Sequence, residues 1–173
     1  AHNAVLRSMN RPDTREGVEK LIQKLRERIP GVTIRSTFIV GFPGETDTHY
    51  QTLRSFVEAQ RFDKVGIFTY SEEEDTPAAM MAQKVPEEVM QERYHDLMSL
   101  QSKISEEINI GLENQEMDVL IEGRDAEQQS IAVGRSYREA PEVDGQIYIE
   151  GDTESQVGDI VRVRLLQGFT YDI

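Results

Sequence analysis

From Val18 to Ile29 the chain places Val18, Leu21, Ile22, Leu25 and Ile29 at three- and four-residue spacing, which predicts an amphipathic helix. Thr14 is a residue type that caps such a helix, and Pro30-Gly31 ends it. A shorter helical turn carrying Val5, Leu6 and Met9 comes before it and stops at Arg11-Pro12-Asp13. The pattern then changes. Val32, Ile34, Phe38, Ile39 and Val40 suit a buried strand with few exposed positions. The run stops at Gly41-Phe42-Pro43-Gly44, where glycine lets the backbone turn or approach a ligand closely and proline stiffens the loop. A helix from about Thr46 to Gln60 follows, with Tyr50, Leu53, Phe56 and Val57 on its inward face, and then a strand from Lys64 to Tyr70. Helix, strand, helix, strand with short connections predicts βα units on a parallel sheet. In such folds the loops at the carboxyl ends of the strands carry the chemistry.

After Tyr70 comes the acidic segment SEEEDTPA, placed at the same sheet edge as the first loop if the two strands are parallel neighbours. Pro86 fits a first helical position, and Glu87 and Glu88 suit the positive end of a helix dipole. Val89, Tyr94, Leu97, Leu100, Ile104, Ile108 and Leu112 extend that helix to about Glu113, where it joins two domains. From Met117 the texture becomes short alternating segments: MDVLIEG, SIAVGRSYR, QIYIEG, DIVRVRLLQ and FTYDI. Five short strands with glycines at the bends predict a small antiparallel, OB-like β-barrel. The expected class is therefore α/β followed by this barrel.

Composition changes the picture in two ways. The 173 residues carry a formal charge of −13, which disfavours nonspecific attachment to phosphate backbones and favours a basic partner. By count, the terminal segment holds Arg124, Arg135, Arg138, Arg162 and Arg164 against thirteen acidic residues, a net of −8, and the preceding part nets −5. The ordinary reading of such charge is solubility alone. The chain also has no cysteine, hence no disulfide, no thiol nucleophile and no thiolate for zinc or an iron-sulfur cluster. No apolar run is long enough to cross a bilayer, and AHNAVLRSMNR lacks the layout of a secretory signal, so the default setting is the cytoplasm.

Individual residues add little chemistry. His2, His49 and His95 are far apart in sequence with no partner at ligand spacing, and Glu72-Glu73-Glu74-Asp75 reads first as a solvated loop. Arg35, inside an apolar strand, is expected to face a pocket or a carboxylate. Tyr137, Tyr148, Phe169 and Tyr171 read as barrel core before stacking platforms.

Taken together, TFIVGFPGETD, FDKVGIFTYSEEEDTPA and the opening VLRSMNRPDT resemble the second half of the barrel in the radical S-adenosylmethionine methylthiotransferase family. GRSYREAPEVDGQIYI, VGDIVRVRL and FTYDI resemble the TRAM domain that ends those enzymes. The APEVDG run at Ala140 to Gly145 resembles the RimO branch, which methylthiolates an aspartate of ribosomal protein S-twelve; the tRNA-modifying MiaB branch usually lacks it.

The resemblance implies a partial TIM-like barrel, here its C-terminal part with the linking helix over residues 1–114, and a TRAM domain over 115–173. It implies S-adenosylmethionine and two 4Fe-4S clusters in a full-length enzyme. The cluster cysteines would lie upstream, so this piece holds no metal site and is expected to be inactive alone. By position, Ile39, Gly41, Phe42, Pro43, Gly44 and Glu45 would form one wall of the S-adenosylmethionine site, and Phe68, Tyr70 and Ser71 the adjacent wall. Pro43-Gly44 as a plain turn and Ser71 as a cap are the structural alternatives. Arg138, Glu139 and Asp144 would contact the substrate protein. A tRNA methylthiotransferase of the same chemistry and a noncatalytic binding module are the competing readings, and the cut edge of the barrel is expected to expose apolar surface.

Overall fold

The Thr14 hydroxyl accepts the Gly17 amide and starts a helix, as the sequence predicts, in a computed structural model that describes residues 1–152 and 154–173. The chain divides into two units, Ala1–Gln101 and Ser102–Ile173.

The first unit runs α1 (Asn3–Ser8), α2 (Arg15–Arg28), β1 (Arg35–Val40), α3 (Asp47–Gln60), β2 (Lys64–Thr69) and the first part of α4 (Glu87–Ile110). β1 and β2 pair in parallel, with Arg35 opposite Lys64 through Val40 opposite Thr69. Thr46 and His49 make a reciprocal capping box at the start of α3, and Arg61 ends it in a left-handed conformation. The core joins Ile22 of α2, Ile34, Phe56 of α3 and Phe62, with Phe38 and Val65 packed against them. The rings of Phe38, Phe56 and Phe62 meet pairwise at 5.7 to 6.2 Å, each pair contributing about 0.5–1.5 kcal/mol beyond its buried area.

One expectation fails here. β1 is not buried on both faces: Arg35, Thr37 and Ile39 are exposed and alternate with covered positions. Helices cover only one face of this pair of strands. The apolar stripe of α2 is likewise shallow, with only Ile22 buried and Leu21 half exposed.

The second unit holds β3 (Glu116–Arg124), β4 (Ala132–Arg135), β5 (Ile147–Ile149) and β6 (Ile160–Arg164), antiparallel in the order β5-β4-β3-β6. Met117, Val119, Ile121, Ala132, Ile147, Ile149, Leu165 and Ile173 form its core. The fully buried Val119 and Ile121 are each worth about 1.5–3 kcal/mol of transfer free energy. β5 and β6 are the sheet's two ends, and a cavity of about 640 Å³ lies between them, lined by Ile147, Ile149, Val161 and Val163.

Two segments expected as strand are not. β4 stops at Arg135 and the chain turns through Ser136 to Arg138. FTYDI is no strand: the Phe169 amide closes on the Asp172 carbonyl, and Ile173 bonds Tyr148 N of β5 and the Gln146 carbonyl just before it.

Candidate functional site

The loop 41–45 closes upon itself. Gly41 has φ +79° and Gly44 φ +82°, conformations that favour glycine. A Cβ on Gly41 would stand 2.2 Å from the Cγ of Met90, so glycine is needed there for packing as well as for the turn. The Gly41 amide donates to Glu45 Oε1 at 2.9 Å, the Gly44 amide to the Gln83 carbonyl at 2.9 Å, and the Glu45 amide to the Phe42 carbonyl at 2.8 Å. Gly41, Phe42, Pro43 and Glu45 are all buried.

Glu45 has a partner that sequence reasoning missed. Arg93 Nη1, in α4, donates to Glu45 Oε1 at 2.8 Å, and Arg93 Nη2 donates to Asp47 Oδ1 at 2.6 Å. Both side chains of the Glu45–Arg93 pair are almost wholly buried. The guanidinium carbon lies 5.5 Å from the Tyr50 ring centre, and Tyr50 Oη donates to Asp96 Oδ2 at 2.5 Å, where Arg54 Nε also donates. Burial, followed by the Asp96 carboxylate, holds the Tyr50 phenol above the ordinary tyrosine range. The only hint in the sequence was spacing: Met90, Arg93, Leu97 and Gln101 recur at three and four residues, and all four are buried.

The second loop does meet the first. The Tyr70 amide donates to the Val40 carbonyl at 2.8 Å, and the Phe42 and Tyr70 rings pack edge-on at 5.5 Å. Tyr70 Oη is buried with no hydrogen-bond partner among the described residues. Ser71 is exposed, and its hydroxyl donates to Glu73. On the open face of the sheet, Ile39 and Phe68 are register partners and are 43% and 60% exposed. A cavity of about 250 Å³ meets Val5 and Leu6 of α1, Met9 after it, Ser36 to Ile39 of β1 and Glu45 of the loop. Among the described residues, no group of three or more His, Cys, Asp or Glu is placed to hold a metal ion, and no helix is long and apolar enough to cross a membrane.

In the second unit, Arg138, Glu139 and Asp144 lie on one loop, but two of them are buried. Glu139 Oε2 accepts the Ser136 amide at 3.0 Å and the Ser136 hydroxyl at 2.6 Å, and the Arg138 amide donates to the same hydroxyl at 3.1 Å. Asp144 Oδ2 accepts the Ala140 amide at 2.8 Å. The large apolar side chains exposed on this loop are Tyr137 and Val143, at 70% and 67%, and Pro141 and Glu142 are exposed as well.

Three of the sheet's arginines are matched with carboxylates. Arg135 meets Glu122 at 2.7 Å, Arg162 meets Asp118 at 3.0 Å, and Arg164 meets Glu116 at 3.1 Å. The strand register causes this, because Glu116 lies opposite Arg164 and Asp118 opposite Arg162. Arg164, with Arg162 behind it, holds Glu116 below the usual carboxylate range. Arg124 donates to the carbonyls of Asp152 and Ser155.

A small antiparallel sheet at the end of the chain, its arginines tied to carboxylates, matches a known module: residues 114–173 correspond to the TRAM domain family. Over its whole length the chain is similar to proteins named ribosomal protein uS12 methylthiotransferase RimO. The identity is 43% over 173 residues with the Desulforamulus reducens protein, covering 100% of this chain and 39% of the relative. It is 44% over 169 residues with that of Geobacter sulfurreducens, covering 98% and 38%. It is 46% over 169 residues with that of Syntrophotalea carbinolica, covering 98% and 37%. The chain thus spans less than two fifths of the length of these relatives, in their C-terminal part. The resemblance to RimO-type methylthiotransferases drawn from its motifs holds along all of it.

Proposed function

We propose that this chain is the C-terminal part of a cytoplasmic radical S-adenosylmethionine methylthiotransferase that modifies an aspartate of ribosomal protein uS12, with the TRAM domain docking that protein. The observation that carries the docking half is the pairing of Arg135, Arg162 and Arg164 with carboxylates in a segment of net charge −8. Phosphate binding needs cations that can shed their counterions onto the ligand, and these three already hold carboxylates. A ribosomal protein, itself rich in cations for binding RNA, complements such a surface in charge.

For S-adenosylmethionine, three residues of the loop region fit. Ile39 and Phe68 offer an exposed apolar rung on which a flat heterocycle can lie, and Tyr70 Oη is a buried hydroxyl with no partner among the described residues. When bound, that molecule would supply the methyl group and the radical chemistry of the reaction. Gly41, Gly44 and Glu45 serve differently from a direct polar cradle: their hydrogen bonds shape the loop from within. The iron-sulfur clusters that the reading implies find no thiolate in this chain, which has no cysteine, so the chain alone is inactive in this reading.

The test is binding of this chain to purified uS12 and to tRNA by fluorescence anisotropy at several salt concentrations. Micromolar or tighter binding to uS12, with tRNA at least tenfold weaker, is expected. Preferential tRNA binding would overturn the substrate. In the cysteine-containing full-length enzyme purified without oxygen, iron-free protein would overturn the radical chemistry.

A further inference from the structure

Resting on the docking half of that reading, we infer that the loop from Ser136 to Asp144 is the protein-docking element of the TRAM domain, with Tyr137 and Val143 as its apolar anchors and a basic polypeptide segment as its occupant. The side chains of Ser136, Glu139 and Asp144 bond within the loop, while Glu142 stays exposed. Glu139 holds the Ser136 amide and hydroxyl, the Arg138 amide bonds that same hydroxyl, and Asp144 holds the Ala140 amide. The Val143 and Asp144 amides both reach the Ala140 carbonyl, at 3.4 and 3.2 Å.

These bonds leave the loop little conformational freedom to lose when a partner arrives, which is how preorganisation raises affinity. What the loop spends its internal bonding on is the display of a tyrosine 70% exposed and a valine 67% exposed, with the carboxylate of Glu142 exposed beside them. Glu142 itself sits at φ +63°, a conformation rarely adopted by a residue other than glycine and held only where the surroundings enforce it. Tyrosine anchors interfaces well, because it buries a large rigid surface at the cost of two torsions.

The occupant follows from charge. The domain carries thirteen acidic side chains and no lysine, three of its sheet arginines (Arg135, Arg162 and Arg164) are paired with carboxylates, and Glu142 borders the apolar pair. A segment rich in lysine or arginine that also carries an apolar side chain for the Tyr137–Val143 surface complements both properties; a nucleic acid could stack on Tyr137 but is opposed by the charge. Arg138, Glu139 and Asp144 act through the loop's shape and not by touching the partner.

The experiment uses the whole chain and purified uS12, with circular dichroism confirming that each variant is folded. Tyr137→Ala is expected to weaken binding about thirtyfold and Val143→Ala about fivefold, whereas Val157→Ala, an equally exposed apolar residue elsewhere in the unit, leaves it unchanged. Because the anchors are apolar, the Tyr137→Ala factor is expected to be the same at low and high salt, while Glu142→Gln loses its effect as salt rises. Wild-type binding with no effect of either anchor variant would overturn the loop assignment and leave the docking proposal standing. Absence of wild-type binding would overturn both, and equal losses for Val157→Ala would place the surface elsewhere.

Discussion

The loops 41–45 and 136–144 use one device in two ways. In each, a buried glutamate accepts a backbone amide a few residues upstream: Glu45 takes Gly41 and Glu139 takes Ser136. The loops differ in what satisfies the rest of the carboxylate. Glu45 depends on Arg93, forty-eight residues away, whereas Glu139 finds the Ser136 hydroxyl within its own turn. The first loop is therefore a product of tertiary structure and the second is close to self-contained. A buried ion pair confers fixed geometry more than net stability, and it fails badly when one partner is removed.

The sharpest way to break the comparison is Arg93→Met. It leaves Glu45 buried without its cation and is expected to cost about 3–5 kcal/mol in chemical denaturation of the first unit, with faster amide exchange at Gly41. Unchanged exchange at Gly41 would show that the loop holds without the strut. Gly145→Ala comes next, because a Cβ there would stand 2.0 Å from the Tyr171 carbonyl oxygen; a loss of about 1–3 kcal/mol is expected in the melting of the second unit. Glu139→Gln keeps the shape and weakens bonds that end on a charge, so about 1–2 kcal/mol is expected, confined to exchange at Ser136 and its neighbours.

A smaller effect tests the surroundings of Arg93. The Tyr50 phenol has its proton affinity raised in the folded state, so its contribution is present below the unfolded tyrosine pKa near 10 and declines as pH rises beyond it. Urea titrations between pH 8 and 11 are expected to show that decline in the wild type and less of it in Tyr50→Phe. Asp118→Asn, which removes an exposed partner of Arg162, is expected to leave the melting temperature unchanged within measurement scatter.

The contrast also explains what was legible in the sequence. Helices α2 and α3, with their threonine caps, and the parallel strand pair could be read from spacing and turn chemistry, because those signals are local. The buried face of α4 could be read only in part. Leu97 and Ile104 of its predicted apolar stripe are buried, but Val89, Tyr94 and Leu100 are only partly covered, while Arg93, Gln101, Ser105 and Asn109 are buried; distant groups receive Arg93, Gln101 and Asn109. Arg93 escaped notice for the same reason, since nothing near it in sequence marks Glu45 as its destination. The motif that singled out Arg138, Glu139 and Asp144 marks a loop in which Glu139 and Asp144 bond inward. Which side chains it displays depends on the inward hydrogen bonds, and those become visible only in three dimensions.

The rungs Glu116–Arg164 and Asp118–Arg162, with Arg135–Glu122 beside them, make the TRAM sheet a masked cationic surface. Neutral amides at positions 116, 118 and 122 would release three guanidinium groups without adding a single base. Three such changes would move the segment from a net −8 to −5, so unmasking the guanidinium groups changes where its cations lie while the domain as a whole stays acidic.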